Sequence, residues 1–541
     1  MPENDSTSHL RERLGFVLAP LVFGVLWLAP LALPVPAHRL GAILGAVVVL
    51  WVTEAIPMAI TAFLGVALAV ACGVAPAVEA FAPFADPLIF VFVGTFLLAQ
   101  AIFHHGLDRR FAFAMLSLPG VAGRPERVFV VFALVGAAIS MWISNTATVA
   151  MMLPIALSLQ RVIDDGSPAA ARYGTALLLV TAFAPSLGGL GTPVGTPPNL
   201  IGIGFLRRET GVELPFFAWM ALGVPVVVVL MGGLLLTMRG AAGGVATDAP
   251  KLLARIAAER AGLGRWTRGQ VNALVAFAVT VALWVTPGIA ALVAGQDHWF
   301  YRGWITVMPE GVAALFGATL LFVLPVDWKR HQFTLPWAEA VRIEWWIVFL
   351  YGGGIALGSL AFKTGLADAM GRGLTDLLGV RTSFGLIAVS TVLATVLSET
   401  TSNTAAANMV VPVVIAFARS AGIDPTLPAI AATMGASLGF MLPVSTPCNA
   451  IVYGTGRIPL PVMIRHGIVL DVIGVLGIIT VVSGLGPVVL SRVSTTTHGS
   501  ADRQAVAGQG ASTIVPPWHE RCSEPAGCLQ NAESHGASSS S

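Results

Sequence analysis

The sequence predicts an all-α polytopic membrane protein, and three observations predict it. Hydrophobic residues make up 56% of the 541-residue chain and charged residues only 11%, where a soluble domain carries about a quarter. The apolar residues form continuous runs near the roughly 20 residues a membrane helix needs, without the alternation of a membrane barrel. Inside two such runs sits the same polar triplet, Ser-Asn-Thr: ISNTATVAMMLP at 143–154 and TSNTAAANMVVP at 401–412. The copies lie 258 residues apart (402 − 144), and a proline follows each threonine by eight positions (Pro154, Pro412).

The first apolar run, from Phe16 to Leu33, is long enough to span and lacks a small-residue cleavage site, so it reads as a helix rather than a signal peptide. Further spans are expected at 38–54, 57–75, 87–103, 173–206, 215–238, 269–286, 304–325, 343–361, 425–453 and 462–490. That makes about eleven transmembrane helices and puts the termini on opposite sides. Arg11, Arg13, Arg109, Arg110, Arg124, Arg127 and the basic loop 239–268 then share the side of the N-terminus, which the positive-inside bias makes cytoplasmic. Beyond 490 the chain is rich in Ser, Gly and Ala and is expected to be disordered.

Residues 128–160 carry no charge and 382–418 carry only Glu399. Each run is too long for one crossing and short for two. A re-entrant hairpin fits better, with two half-length helices meeting at the triplet. The sixteen residues before Ser144 would rise about 24 Å as a helix, well into the bilayer. Unwound backbone at that depth survives only when buried in protein or lining a cavity.

The chain also repeats itself. FVGTFLLAQAIFHHGLDRRFAFAM (92–115) matches YGGGIALGSLAFKTGLADAM (351–370). Each is followed by a triplet segment and then by a helix broken at Gly, Thr and Pro: GTPVGTPPNLIG (191–202) and LPVSTPCNAIVYG (442–454). The units run from about 57 to 238 and from 304 to 490. With the expected topology they enter the membrane from opposite sides, the inverted repeat of many secondary transporters.

Ser140 and Ser144 are spaced to share one helical face, as are Ser398 and Ser402. Hydroxyls, the Asn amide oxygen and unwound carbonyls are neutral hard donors that suit a small alkali cation. Free helix N–H groups favour anions and free carbonyls favour cations. One such triplet would be ordinary interhelical hydrogen-bond glue. Two copies, each followed by Thr-Pro-x-Asn, favour a binding site. No Lys or Arg lies in either triplet or break, so a bound dianion would need cations to neutralise it.

Other features are less specific. The net charge of +2 gives no sign of nucleic-acid binding. No metal-ligand spacing appears among the four cysteines. Cys72 and Cys448 lie in apolar surroundings, while Cys522 and Cys528 lie in the polar tail, where an oxidising compartment would let them pair. Glu54 reads as a capping residue in the turn after the second span. Glu399 is expected to pair with Lys363 or Arg381, or to face water. His104 and His105 read as interfacial, and Trp51, Trp337, Trp345 and Trp346 as interfacial anchors. No HExxH, GxSxG or paired-Asp motif falls in a membrane run, which disfavours an intramembrane enzyme.

The paired triplets, the breaks TPPN (196–199) and TPCN (446–449), and WVTEAIP (51–57) resemble the divalent anion/sodium symporter family over residues 15–490. The resemblance implies a multi-pass inner-membrane homodimer in which a transport domain moves as an elevator against a scaffold. It implies a cytoplasmic N-terminus (1–14), scaffold helices at 15–127 and 269–381, and transport elements at 128–238 and 382–490. The loop 239–268 and the tail 491–541 complete the partition, with the C-terminus periplasmic or extracellular. One sodium site would use Ser140, Ser144, Asn145 and the Gly195 carbonyl; the other would use Ser398, Ser402, Asn403 and the Ser445 carbonyl. Substrate carboxylates would meet Asn145, Thr146, Asn403 and Thr404, with Thr196, Pro197, Thr446 and Pro447 closing the site. Ser398, Ser445 and Cys448 depart from the family pattern. The implied activity is sodium-coupled uptake of C4-dicarboxylates such as succinate, malate or fumarate. Citrate or sulfate symport and sodium-independent exchange are the alternatives.

Overall fold

The computed structural model describes residues 4–121, 123–242, 249–295 and 298–507. Met1–Val493 forms one compact unit, and a second begins at Ser494, helical as far as Ala507. Cys522 and Cys528 lie outside the described residues. The last helix nevertheless carries regular structure past 490, where disorder was expected.

The first helices are α1 (Asn4–Leu28), which packs on α2 (Val35–Thr53), and then α3 (Met58–Ala71) and α4 (Ala77–Phe81). Glu54 ends α2 in a left-handed conformation (φ 52°). Arg11 secures this turn: its Nε donates to the Val52 carbonyl at 2.9 Å, and its guanidinium lies 3.9 Å from the Glu54 carboxylate. The capping expected of Glu54 is therefore shared with an arginine from the preceding helix.

The chain continues through α5 (Pro87–His104), α6 (Leu107–Leu116), α7 (Pro125–Ser140), α8 (Asn145–Ile163) and α9 (Pro168–Gly188). A 3-10 turn at Gly189–Gly191 and an unwound stretch precede α10 (Pro197–Thr210) and α11 (Phe216–Ala242). The basic loop contains α12 (Ala249–Gly262), and α13 (Arg268–Ala294) follows. The run expected as one span at 304–325 is two helices, α14 (Trp299–Val307) and α15 (Glu310–Val323), bent by 64°. Pro309, which N-caps α15, accounts for the break. Next comes a two-stranded ribbon, β1 (Pro325–Asp327) with β2 (Gln332–Phe333), too short to leave a periodicity in the sequence.

The second half reads α16 (Trp337–Ala340), α17 (Trp345–Thr364), α18 (Leu366–Leu378), α19 (Ser383–Thr400), α20 (Asn403–Ser420), α21 (Thr426–Gly435), α22 (Pro447–Tyr453) and α23 (Leu460–Ala507). From α5 and from α17 the same succession recurs: apolar helix, shorter helix, a pair meeting at the triplet, a broken helix and a long helix. Gly106 and Gly365 make the first hinge of each series with φ of 63° and 82°, a region that side chains disfavour.

Nine described helices are long and apolar enough to cross a membrane, or ten if the bent α14–α15 pair counts as one. The expectation of eleven crossings counts differently. α8 and α19 pass by length although each is half of a triplet pair, whereas α3 and α21 are short at 14 and 10 residues. Apolar side chains such as Leu21, Val228, Phe316, Val396 and Leu476 are exposed along these helices, the dressing of a surface that faces lipid.

Packing draws the two series together. α7 and α8 pack on α9, and α19 and α20 on α21. Each broken helix also reaches into the other half: α22 packs on α8 and α9, and α10 on α20 and α21. Phe183 of α9 and Phe440 of the second break meet edge to face at 5.2 Å.

Candidate binding site

The Thr-Pro pairs of the breaks have a local explanation. Thr196 and Thr446 are the N-caps of α10 and α22, and Pro197 and Pro447 take the first helical position, where proline's missing N–H costs nothing. Ser144 and Ser402 stand likewise before α8 and α20, with Ser402 Oγ accepting the Ala405 N–H at 3.2 Å. Four helices therefore begin, and α7, α9, α19 and α21 end, around the triplets and breaks. The free N–H groups of the first set suit anions, and the free carbonyls of the second suit cations.

At the first triplet, Ser140 is fully buried and its hydroxyl donates to Asn145 Oδ1 at 2.7 Å. Asn199 donates through Nδ2 to the carbonyls of Gly189 (2.9 Å) and Thr192 (2.8 Å), and the Thr192 hydroxyl donates to the Met141 carbonyl. Trp219 of α11 steadies the same turn, its Nε1 donating to the Leu190 carbonyl at 3.0 Å. These bonds leave a small cradle. An atom standing where a Cβ of Gly189 would be lies 2.5 Å from Asn145 Oδ1 and 3.1 Å from the Gly195 carbonyl oxygen.

The second triplet repeats the pattern. Ser398 is fully buried; its hydroxyl has two acceptors within reach of its one proton, Asn403 Oδ1 at 2.8 Å and the Ala436 carbonyl at 2.7 Å. Asn449 Nδ2 donates to the carbonyls of Gly439 and Leu442, both at 3.0 Å. The partners match with constant offsets, 258 between the hairpins (398 − 140, 403 − 145) and 250 between the breaks (449 − 199, 439 − 189, 442 − 192). This cradle is wider: a Cβ on Gly439 would lie 3.3 Å from Asn403 Oδ1, from Ser398 Oγ and from Ser445 Cβ.

The structure brings Ser140, Asn145 and the Gly195 carbonyl together; in the second half it brings Ser398 and Asn403 to the Ser445 side chain, whose hydroxyl donates to Glu399, rather than to the expected Ser445 carbonyl. It does not place Ser144 or Ser402 on a helical face with its partner. The chain leaves the helix after Ser140, and Thr401 is extended, so the four-residue spacing no longer carries a face. Ser402 Oγ instead donates to Met58 Sδ at 3.1 Å, and Ser144 lies beside the Glu344 carboxylate. Thr146 lies with Ser186 and Thr446 against the Cys448 thiol, which joins the first hairpin tip to the second break. Thr404 is buried and its carbonyl accepts from Asn408, Thr196 and Thr446 are buried, Pro197 is half-buried and Pro447 is exposed.

Glu399 departs from its expected partners. Lys363 is taken by Glu79 at 2.6 Å. Glu399 is buried and accepts the Met441 N–H at 2.9 Å and the Ser445 hydroxyl at 2.7 Å, tying the second hairpin to the second break. In the first half the corresponding position is Met141, so Glu399 has no counterpart there. A second arrangement invisible in the sequence is Arg11, which reaches the Thr400 carbonyl at 3.2 Å. Sequence reasoning also passed over Asn199, Asn449, Gly189 and Gly439, although the paired Thr-Pro-x-Asn strings were the signal for the asparagines.

Chemically, both junctions gather neutral oxygens, those of Ser140, Asn145 and Gly195 in one half and of Ser398 and Asn403 in the other, the donor type that suits a small hard cation. Among the described residues no group of three His, Cys, Asp or Glu side chains gathers as a transition-metal site would require. Two junctions with the same bond pattern, set beside four helix N-termini within a repeated helical membrane fold, are the arrangement of a membrane transporter. The chain belongs to the sodium:sulfate symporter family, whose transmembrane region matches residues 10–491.

It is similar to the sodium-dependent dicarboxylate transporter SdcS of Staphylococcus saprophyticus, with 31% identity over 90% of this chain and 94% of that one. The SdcS protein of Staphylococcus aureus is 30% identical over 88% and 92% of the two chains. The crystal structure of the YdaH transporter of Alcanivorax borkumensis shares the fold at a TM-score of 0.52 and 17% identity, covering 75% of this chain and 86% of that one.

Proposed function

We propose that this protein is a secondary active transporter that carries dicarboxylates together with sodium, with C4 compounds such as succinate, malate and fumarate as its substrates. The observation that carries the reading is the duplicated bond pattern, Ser140–Asn145 with Asn199–Gly189 and Ser398–Asn403 with Asn449–Gly439. Each half supplies one cradle for sodium. The dianion sits between the tips, against Asn145, Thr146, Asn403 and Thr404, with Thr196, Pro197, Thr446 and Pro447 around it. The names of the staphylococcal relatives support both sodium and dicarboxylate.

The mechanism follows from charge. The tips hold no Lys or Arg of their own, so two cations and the helix N-termini neutralise the substrate, and empty cradles bind it poorly. The hairpins, the broken helices and the helices after them (128–238 and 382–490) then move as an elevator against the scaffold helices α1–α6 and α13–α18, in a homodimer of the inner membrane with its N-terminus cytoplasmic. Asn145→Ala and Asn403→Ala each lose sodium-driven succinate uptake in liposomes while still purifying as folded protein. Normal uptake by both variants would remove the site from these residues. The family description names sulfate, which favours sulfate as the second reading; competition of sulfate against succinate decides between them.

A further inference from the structure

We propose that Asn199 and Asn449 are positioning residues for the two cation cradles, holding each break open at the distance that lets sodium enter without touching the ion or the substrate themselves. This rests on the sodium-symport reading above.

Both asparagines are fully buried. Each uses the two hydrogens of Nδ2 on carbonyls ten and seven residues upstream: Gly189 and Thr192 in one half, Gly439 and Leu442 in the other. The stretches between, 192–196 and 439–446, keep only single turn bonds, Gly195 N–H to the Thr192 carbonyl and Ser445 N–H to the Leu442 carbonyl, so the carboxamide replaces bonds that unwinding removes. The clamped glycines form the walls of the cradles. The Gly189 carbonyl lies 2.5 Å from where a Cβ of Gly195 would stand, and Gly195 supplies the carbonyl that faces Asn145 Oδ1 across the cradle.

The acceptor end of each carboxamide argues against simple glue. Asn199 Oδ1 and Asn449 Oδ1 are both buried with no hydrogen-bond partner. An unsatisfied buried acceptor costs stability, and the structure carries that cost at both corresponding positions. A residue serving packing alone would be better replaced by an apolar one of the same shape. Two donors on a short side chain are what the geometry requires: serine offers one, glutamine reaches too far and aspartate offers none.

The test compares wild type with Asn199→Ala, Asn449→Ala and the milder Asn199→Ser and Asn449→Ser. Two readouts are taken: sodium-induced thermal stabilisation without substrate, and the sodium concentration giving half-maximal succinate uptake in liposomes. The expected result is a rise in half-saturating sodium on the order of tenfold in each alanine variant and a smaller rise in each serine variant. Sodium-induced stabilisation weakens in step, and the half-saturating succinate measured at high sodium stays near wild type. Should an alanine variant fail to fold, its serine counterpart carries the comparison. Lower melting temperatures with unchanged sodium half-saturation would overturn the proposal and leave the asparagines as structural ties. If wild-type uptake itself ignores sodium, the symport reading fails first and the proposal falls with it.

Discussion

At the scale of single residues, the two cradles differ in a way that predicts different outcomes for the same substitution. Gly189→Ala drives a methyl group to 2.5 Å from Asn145 Oδ1, closer than real contacts allow, and so fills the first cradle. Gly439→Ala meets its neighbours at 3.3 Å, a separation that small shifts accommodate. Sodium-driven uptake should therefore be abolished in Gly189→Ala and only weakened in Gly439→Ala. Equal loss in both would show that the cradles are not shaped as described. Residue chemistry was also where the sequence was least legible. The triplets announced themselves by polarity, but the four-residue serine spacing misled because the helix stops between its members. Glu399 could not be assigned because its partners, Met441 N–H and Ser445, lie 42 and 46 residues away.

At the scale of elements, one polar junction and one helix lend themselves to test. Arg207 at the end of α10 meets Asp86 Oδ1 at 2.6 Å, and the same carboxylate accepts from Tyr351 of α17 at 3.1 Å and from the Leu88 N–H at 2.9 Å. Asp86 is buried, so Arg207→Ala strands a charge. The expected loss is about 3 kcal/mol, read as a lower melting temperature, and Asp86→Asn in the same chain should recover part of it. No loss in the single variant would mean that the pair is screened by water.

Asp108 lies on α6, ten residues long and too short to cross a membrane. Burial holds its carboxyl up at about 6, against an ordinary 3.8. The folded state thus binds the proton more tightly than the unfolded one, so the cost of ionising Asp108 is absent below pH 3.8, grows towards pH 6 and is full above it. Asp108→Asn should raise stability by about 2–3 kcal/mol near pH 7.5, and thermal melts of the two proteins should converge as the pH falls towards 4. A difference that does not change with pH would assign it to packing instead. Elements were the most legible level of the chain. Apolar runs, Gly-Leu hinges and Thr-Pro breaks marked most of them, whereas the α14–α15 bend, α12 and the β-ribbon were set by local turns that a window of apolar residues averages away.

For the whole molecule, the repeat is the fact that organises the rest. Each half supplies a triplet and a break with the same four-residue bond pattern, and each broken helix packs into the other half. The sequence showed that repeat as paired strings; the joining of α22 to α8 and α10 to α20 emerges only when the chain folds. The central claim is that cations in these cradles make substrate binding possible. Its most direct test is uptake of labelled succinate by the purified protein in liposomes, with and without an inward sodium gradient. The account predicts accumulation that requires the gradient and disappears when sodium is replaced by an equal concentration of choline. Succinate uptake of equal rate in choline, or uptake driven only by dicarboxylate trapped inside, would contradict it.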